Sequence, residues 1–112
     1  MKTAVISGGN GGLGRALADQ LEAQGWHCVL MDVTTAGLQA TAHRTPIQVD
    51  LTDQSALMRA ASDIIAARPS IDMVIYNAGV TQVAPFEETT AASHRRIFEV
   101  NYFAAVEMNR AF

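Results

Sequence analysis

The chain has 112 residues, 49% of them apolar, a net charge of −3, and eight basic residues scattered along its length. That length fits one globular domain burying roughly 65% of the surface its unfolded chain would expose, and the absence of a basic cluster excludes nucleic acid or an anionic membrane as the partner. The single cysteine, Cys28, excludes an internal disulfide and, within Cys28-Val29-Leu30-Met31, reads as a small core side chain.

The first strand is expected over about residues 2 to 6. Only four or five apolar residues precede a glycine turn, too short a run for a signal peptide or a membrane span, so a cytosolic protein is the expectation. The turn has five glycines in seven positions, Gly8-Gly9-Asn10-Gly11-Gly12-Leu13-Gly14. A helix is expected from about Gly12 to Gln24, ended by Gly25 as a left-handed cap.

Strand, glycine turn and helix together make a phosphate cradle, because glycines let a ligand approach the backbone and the helix start aims unpaired N–H groups at it. The glycines can be read as Gly9-x-Gly11-x-x-Gly14 or as Gly8-x-x-x-Gly12-x-Gly14. A P-loop is rejected, since Arg15 and Ala16 stand where Lys and Ser or Thr would meet phosphates and Mg²⁺.

A second strand is expected at His27 to Met31, ending on Asp32, whose carboxylate can accept hydrogen bonds from ribose hydroxyls. No Arg or Lys stands at Val33, Thr34 or within the glycine turn, which favours NAD over NADP. A short helix around Gly37 to Ala42 is the most that the next stretch holds. Ile47-Gln48-Val49 reads as a third strand, closing on Asp50-Leu51, with Thr52 capping a helix of about Asp53 to Ala67.

Ile71 to Tyr76 reads as a fourth strand, covered on both faces. It closes on Asn77-Ala78-Gly79, where an amide could tie the crevice together and small residues would let a ligand lie against the backbone. Thr89 or Thr90 starts a long helix toward Phe112, in which Asn101 falls on or beside the buried stripe of Ile97, Val100, Ala104 and Met108. Arg95-Arg96 reads as a solvated face. His27, His43 and His94 lack metal-ligand spacing, so no metal site is expected. Strands alternating with helices imply an α/β fold with a parallel, doubly wound sheet, and ligands in such sheets lie outside the carboxyl ends of the strands.

Ser7-Gly8-x-x-x-Gly12-x-Gly14, Asp32, Asp50-Leu51, Asn77-Ala78-Gly79 and Asn101 together resemble the short-chain dehydrogenase/reductase family, in its Thr-Gly-x-x-x-Gly-x-Gly branch. The resemblance covers the chain from Lys2 onward and selects the Gly8, Gly12, Gly14 register. It implies a Rossmann-type sheet of order 3-2-1-4 and an NAD(P)-dependent oxidoreductase acting on an alcohol or carbonyl substrate. It also implies a cofactor site of Ser7, Gly8, Asn10, Gly12, Leu13, Gly14, Asp32, Val33, Asp50, Leu51, Asn77, Ala78 and Gly79. Asp50 and Leu51 would meet the adenine, and Asn101 would support a proton relay.

Ser7 replaces the family's usual Thr but keeps the hydroxyl, and Tyr76 stands where Asn often precedes Asn-Ala-Gly. The family's later Ser and Tyr-x-x-x-Lys are missing: Tyr76 and Tyr102 are followed four residues on by Val80 and Val106, and the sole lysine is Lys2. The resemblance therefore implies one dinucleotide-binding domain, residues 1–112, truncated before the catalytic segment of a longer protein that forms a homodimer or homotetramer. The alternative expectation is a nucleotide-binding module without catalysis; an epimerase of related fold is disfavoured by the glycine spacing.

Overall fold

The computed structural model describes all 112 residues. Strand β1 (Thr3–Ser7) leads through the glycine turn into α1 (Gly12–Ala23), followed by β2 (His27–Asp32), β3 (Arg44–Gln48), α2 (Gln54–Ala67) and β4 (Met73–Ile75). After one 3-10 turn at Phe86–Glu88 comes a long helical run. It consists of α3 (Ala91–Phe98), a π-helical turn at Glu99–Phe103, and α4 (Ala104–Ala111). All strand pairings are parallel and their order is β3-β2-β1-β4, the expected doubly wound arrangement.

Side chains alternate across a strand, and here both faces are apolar, as a sheet sandwiched between helices requires. Ala4 and Ile6 of β1, with Cys28 and Leu30 of β2, pack with Ala18 of α1 on one face. Val5, Val29 and Met31 face the other way, against Leu57 and Ile64 of α2 and Ala104 and Met108 of α4. Cys28 is wholly buried, as expected, and burial pushes its thiol up to about 11.

Helix α1 ends in a Schellman motif: Gly25 takes φ +87°, its N–H donates to the Glu22 carbonyl, and the Trp26 N–H donates to the Leu21 carbonyl. Gly25 thus serves as the left-handed residue its position suggested. Helix α2 is capped by Asp53, whose carboxylate accepts from the Ala56 N–H at 3.1 Å, in place of the expected Thr52. Thr52 instead bonds back to Asp50, an exchange that spacing cannot resolve because both residues are good caps.

Three expectations are corrected. No helix forms around Gly37 to Ala42; Gly37 takes φ +80° and the segment is held by turns and an isolated bridge between Thr41 and Arg44. Strand β3 begins earlier, at Arg44, because Arg44 is anchored to α1 by paired bonds to Glu22 of 2.7 and 3.0 Å and one to Asp19 of 2.8 Å. Strand β4 is shorter than the apolar run and not sealed on both faces, with Met73 and Tyr76 exposed.

Candidate cofactor cleft

The carboxyl ends of the strands open onto one cleft of about 410 Å³. Gly8, Gly11, Gly12 and Leu13 line it from the glycine turn, Asp32 and Val33 from the end of β2, and Val49 to Thr52 from the end of β3. Asn77 to Val80 line it from the end of β4, and Arg96 and Val100 from the long helix.

The turn is shaped by backbone needs. Gly8 adopts φ +64°, a conformation that favours glycine, and the Gly9 N–H donates to the Met31 carbonyl at 3.1 Å. A Cβ on Gly14 would strike the Gly8 carbonyl oxygen and approach the Gly9 Cα at 2.9 Å, so this glycine serves packing between helix and turn. Gly12 differs: a Cβ there would meet no atom within 4 Å, although the residue lines the cleft. No side chain caps the first turn of α1 and no acidic residue sits in it, so its N–H groups and positive dipole end stay available to an anion.

Ser7 is buried beneath the turn. Its hydroxyl accepts from the N–H groups of Asn77 and Ala78, both at 2.9 Å, and donates to the Ile75 carbonyl at 3.4 Å. The Asn77 amide in turn donates to the Gly8 carbonyl at 3.1 Å, so the end of β4 is stitched to the glycine turn by side chains from both. This is the tie expected of Asn77.

Asp32 presents its carboxylate at the mouth. Its two oxygens accept one backbone N–H each, from Asn10 at 3.0 Å and Val33 at 2.7 Å, which fixes the group while leaving each oxygen able to accept again. Asn10 faces away from the cleft. Its amide donates to the carbonyls of Thr34 and Ala36, both at 3.0 Å, and its Oδ1 accepts from the Arg15 guanidinium, strapping the segment after β2 onto the turn.

Asp50 uses Oδ1 to accept both the N–H and the hydroxyl of Thr52, at 2.9 and 2.7 Å, leaving Oδ2 free. Those bonds hold its carboxyl below the ordinary range, with a smaller contribution from the positive charge of Arg96. Leu51 is buried under the cleft.

Of the residues expected at the site, Gly8, Gly12, Leu13, Asp32, Val33, Asp50, Leu51, Asn77, Ala78 and Gly79 come together around the cleft. Ser7, Asn10 and Gly14 support it from behind. Asn101 lies beside the buried stripe rather than on it: it is exposed, in the π-helical turn, and its side chain grips both backbone polar groups of one residue across the chain. Its Oδ1 accepts from the Val80 N–H at 2.7 Å and its Nδ2 donates to the Val80 carbonyl at 2.8 Å. The π turn alters the 3.6-residue phase on which the stripe was counted.

Sequence reasoning missed Gly11, Val49, Thr52, Val80, Arg96 and Val100. Val100 was placed on the buried stripe, and Arg96 precedes it by one helical turn, so their shared face was the available signal. Tyr76 and Lys2 lie apart: the Tyr76 hydroxyl donates to Asn109 at 2.9 Å, while the Lys2 ammonium sits 5.4 Å from the centre of the Trp26 ring. No group of His, Cys, Asp and Glu is arranged to hold a metal ion, and no helix is long and apolar enough to cross a membrane.

Comparison with known proteins gives a consistent result. The short chain dehydrogenase family model matches residues 2–112. A sorbitol dehydrogenase of Cereibacter sphaeroides is 31% identical, over 98% of this chain and 45% of the relative. A 2-dehydro-3-deoxy-L-rhamnonate dehydrogenase (NAD(+)) of a Sphingomonas species is 30% identical, over 97% of this chain and 46% of the relative. The crystal structure of a short-chain dehydrogenase from Streptomyces avermitilis superposes with a TM-score of 0.93 at 31% identity, over 98% of this chain and 42% of that one. The chain spans about half the length of the curated relatives it matches. With the strand order, the glycine turn and the strand-end acids already in the family's pattern, these matches show that the chain belongs to the short-chain dehydrogenase/reductase family.

Proposed function

We propose that residues 1–112 form the dinucleotide-binding domain of an NAD-dependent oxidoreductase that interconverts a small alcohol and its carbonyl compound. The observation that carries this reading is Asp32: a carboxylate fixed by two backbone N–H groups at the mouth of a cleft that an uncapped helix start also lines. The bound nicotinamide would supply a hydride acceptor or donor. The chain's own residues bind and orient it.

The turn from Gly8 to Gly14 holds the pyrophosphate, with open space at Gly12 where phosphate oxygens can reach the backbone. Asp32 accepts the adenosine ribose hydroxyls and repels a 2′-phosphate. Asp50 accepts the adenine amino group on its free Oδ2, and the backbone of Asn77 to Gly79 forms the wall. Asn101 is a positioning residue that fixes Val80, and through it the end of that wall.

Proton transfer to the substrate oxygen belongs to a Ser and a Tyr-Lys pair outside these residues, in a parent protein of about the relatives' length. A homodimer or homotetramer in the cytosol fits the same reading, supported by the exposed Phe98, Tyr102 and Phe103 on the long helical run.

The test is Asp32→Ala, titrated with NAD and NADP by calorimetry. Losing hydrogen bonds to an ionised acceptor should weaken NAD binding about ten- to a hundredfold and raise the NADP-to-NAD affinity ratio. Unchanged NAD affinity and an unchanged ratio would refute the ribose assignment.

A further inference from the structure

The ionisable side chains lining the cleft are two carboxylates, Asp32 and Asp50, and one guanidinium, Arg96. A site for an anionic dinucleotide thus carries a single cation. Arg96 sits on α3, one helical turn before Val100, and this i,i+4 spacing places both on the face turned to the cleft. Its guanidinium is exposed and held by no ion pair, whereas Arg44 is pinned by Glu22 and Asp19 and Arg15 is spent on Asn10. Arg96 and Asp50 line the same cleft, Asp50 at the strand end beside Leu51 and Thr52, and the Arg96 charge makes a small contribution to holding that carboxyl below the ordinary range.

What a free guanidinium can do there follows from its shape. It is planar, weakly hydrated and permanently charged, so it lies favourably over an aromatic face, where a compact ammonium does less well. Asp50, Leu51, Val100 and Arg96 line the same cleft, and of these Leu51 is buried, Val100 half-buried and Arg96 exposed.

Resting on the dinucleotide reading above, we propose that Arg96 is a cofactor-binding residue: its guanidinium closes over the solvent face of the adenine ring seated beside Asp50 and Leu51. Asp50 takes the amino edge of the ring, Leu51 and Val100 the buried face, and Arg96 the remaining face. The residue thereby contributes to selection of a purine-bearing cofactor, a role separate from that of Asp32 at the ribose.

The test compares the wild-type protein with Arg96→Gln and Arg96→Lys, each titrated by calorimetry with AMP and with NAD. Since Arg96 is exposed, both variants should keep the fold. Arg96→Gln should weaken AMP and NAD by the same factor, about three- to tenfold for loss of a cation–π contact, and Arg96→Lys should recover only part of it.

Unchanged AMP affinity in Arg96→Gln would overturn the proposal, as would a loss confined to NAD, which would place Arg96 on the half of the dinucleotide that AMP lacks. Full recovery by Arg96→Lys would overturn the stacking role in favour of charge alone. Failure of the wild-type protein to bind either ligand would instead overturn the dinucleotide reading itself.

Discussion

Gly12 and Gly14 stand one residue apart in the first turn of α1 and answer to different constraints. A methyl group on Gly14 would collide with the backbone of Gly8 and Gly9, whereas one on Gly12 would meet no protein atom within 4 Å. Neither has a positive φ. Gly14→Ala should therefore destabilise the fold by about 1–3 kcal/mol through overpacking. Gly12→Ala should leave it as stable or up to about 1 kcal/mol more so, because alanine is the better helix former. Only Gly12→Ala should weaken NAD by tenfold or more while the fold is kept, since a Cβ would fill the space the phosphate needs. Urea denaturation and calorimetric titration of the two variants separate the effects, and an unaltered NAD affinity in Gly12→Ala would remove the argument that the opening there serves a ligand.

Among elements, the long helical run is the one whose irregularity has a use. Thr90 caps α3 in a reciprocal capping box with Ser93, and regular helix continues to Phe98 before the π-helical turn. That turn presents Asn101 to the Val80 peptide, so one side chain satisfies both polar groups of a loop residue that no strand pairs. Asn101→Ala should cost about 0.5–1.5 kcal/mol, the net worth of hydrogen bonds that water can replace at this exposed site. Hydrogen exchange at the Val80 amide should accelerate well beyond the global change. Unaltered Val80 protection would show that the loop is held by something other than the clamp.

At the scale of the molecule the two ends of the sheet have separate tasks. The carboxyl ends carry the cleft; the amino ends carry polar ties that hold the strands in place. Asp72 accepts from the Thr3 N–H at 2.8 Å ahead of β4, and Arg68 donates to the Thr3 hydroxyl at 3.3 Å. His27, buried at the start of β2, donates from Nδ1 to the Ala42 carbonyl at 3.2 Å, which leaves Nε2 to accept from the Thr45 hydroxyl at 2.7 Å.

Burial pulls the His27 pKa below 6.5; the Ala42 carbonyl opposes this, the charges of Arg68 and His43 add to it, and Glu22 weakly opposes. The unfolded chain therefore binds the proton more readily than the folded one. Stability is full above pH 6.5 and is lost as pH falls below it. Urea midpoints measured from pH 7.5 to 5.5 should fall on the acid side and the slope should flatten in His27→Gln. A midpoint that stays level across that range in the wild-type protein would contradict the assignment.

Strand–helix alternation, a parallel sheet with helices on both faces, and the gathering of the glycine turn, Asp32, Asp50 and Asn77 at one edge were legible in the residues, since they follow from local periodicity and the rule that ligands lie at the carboxyl ends of parallel strands. The strand order and the choice of Gly8, Gly12 and Gly14 as the register came from the family resemblance. Folding was needed to show that Thr52 serves Asp50 while Asp53 caps α2, that Asn10 straps the neighbouring segment instead of facing the cleft, and that Arg96 enters it. The first is a competition between two adjacent residues that are both good caps, which spacing leaves undecided; the other two depend on groups that meet across long sequence separations, Asn10 with Thr34 and Ala36, and Arg96 with the strand ends around the cleft.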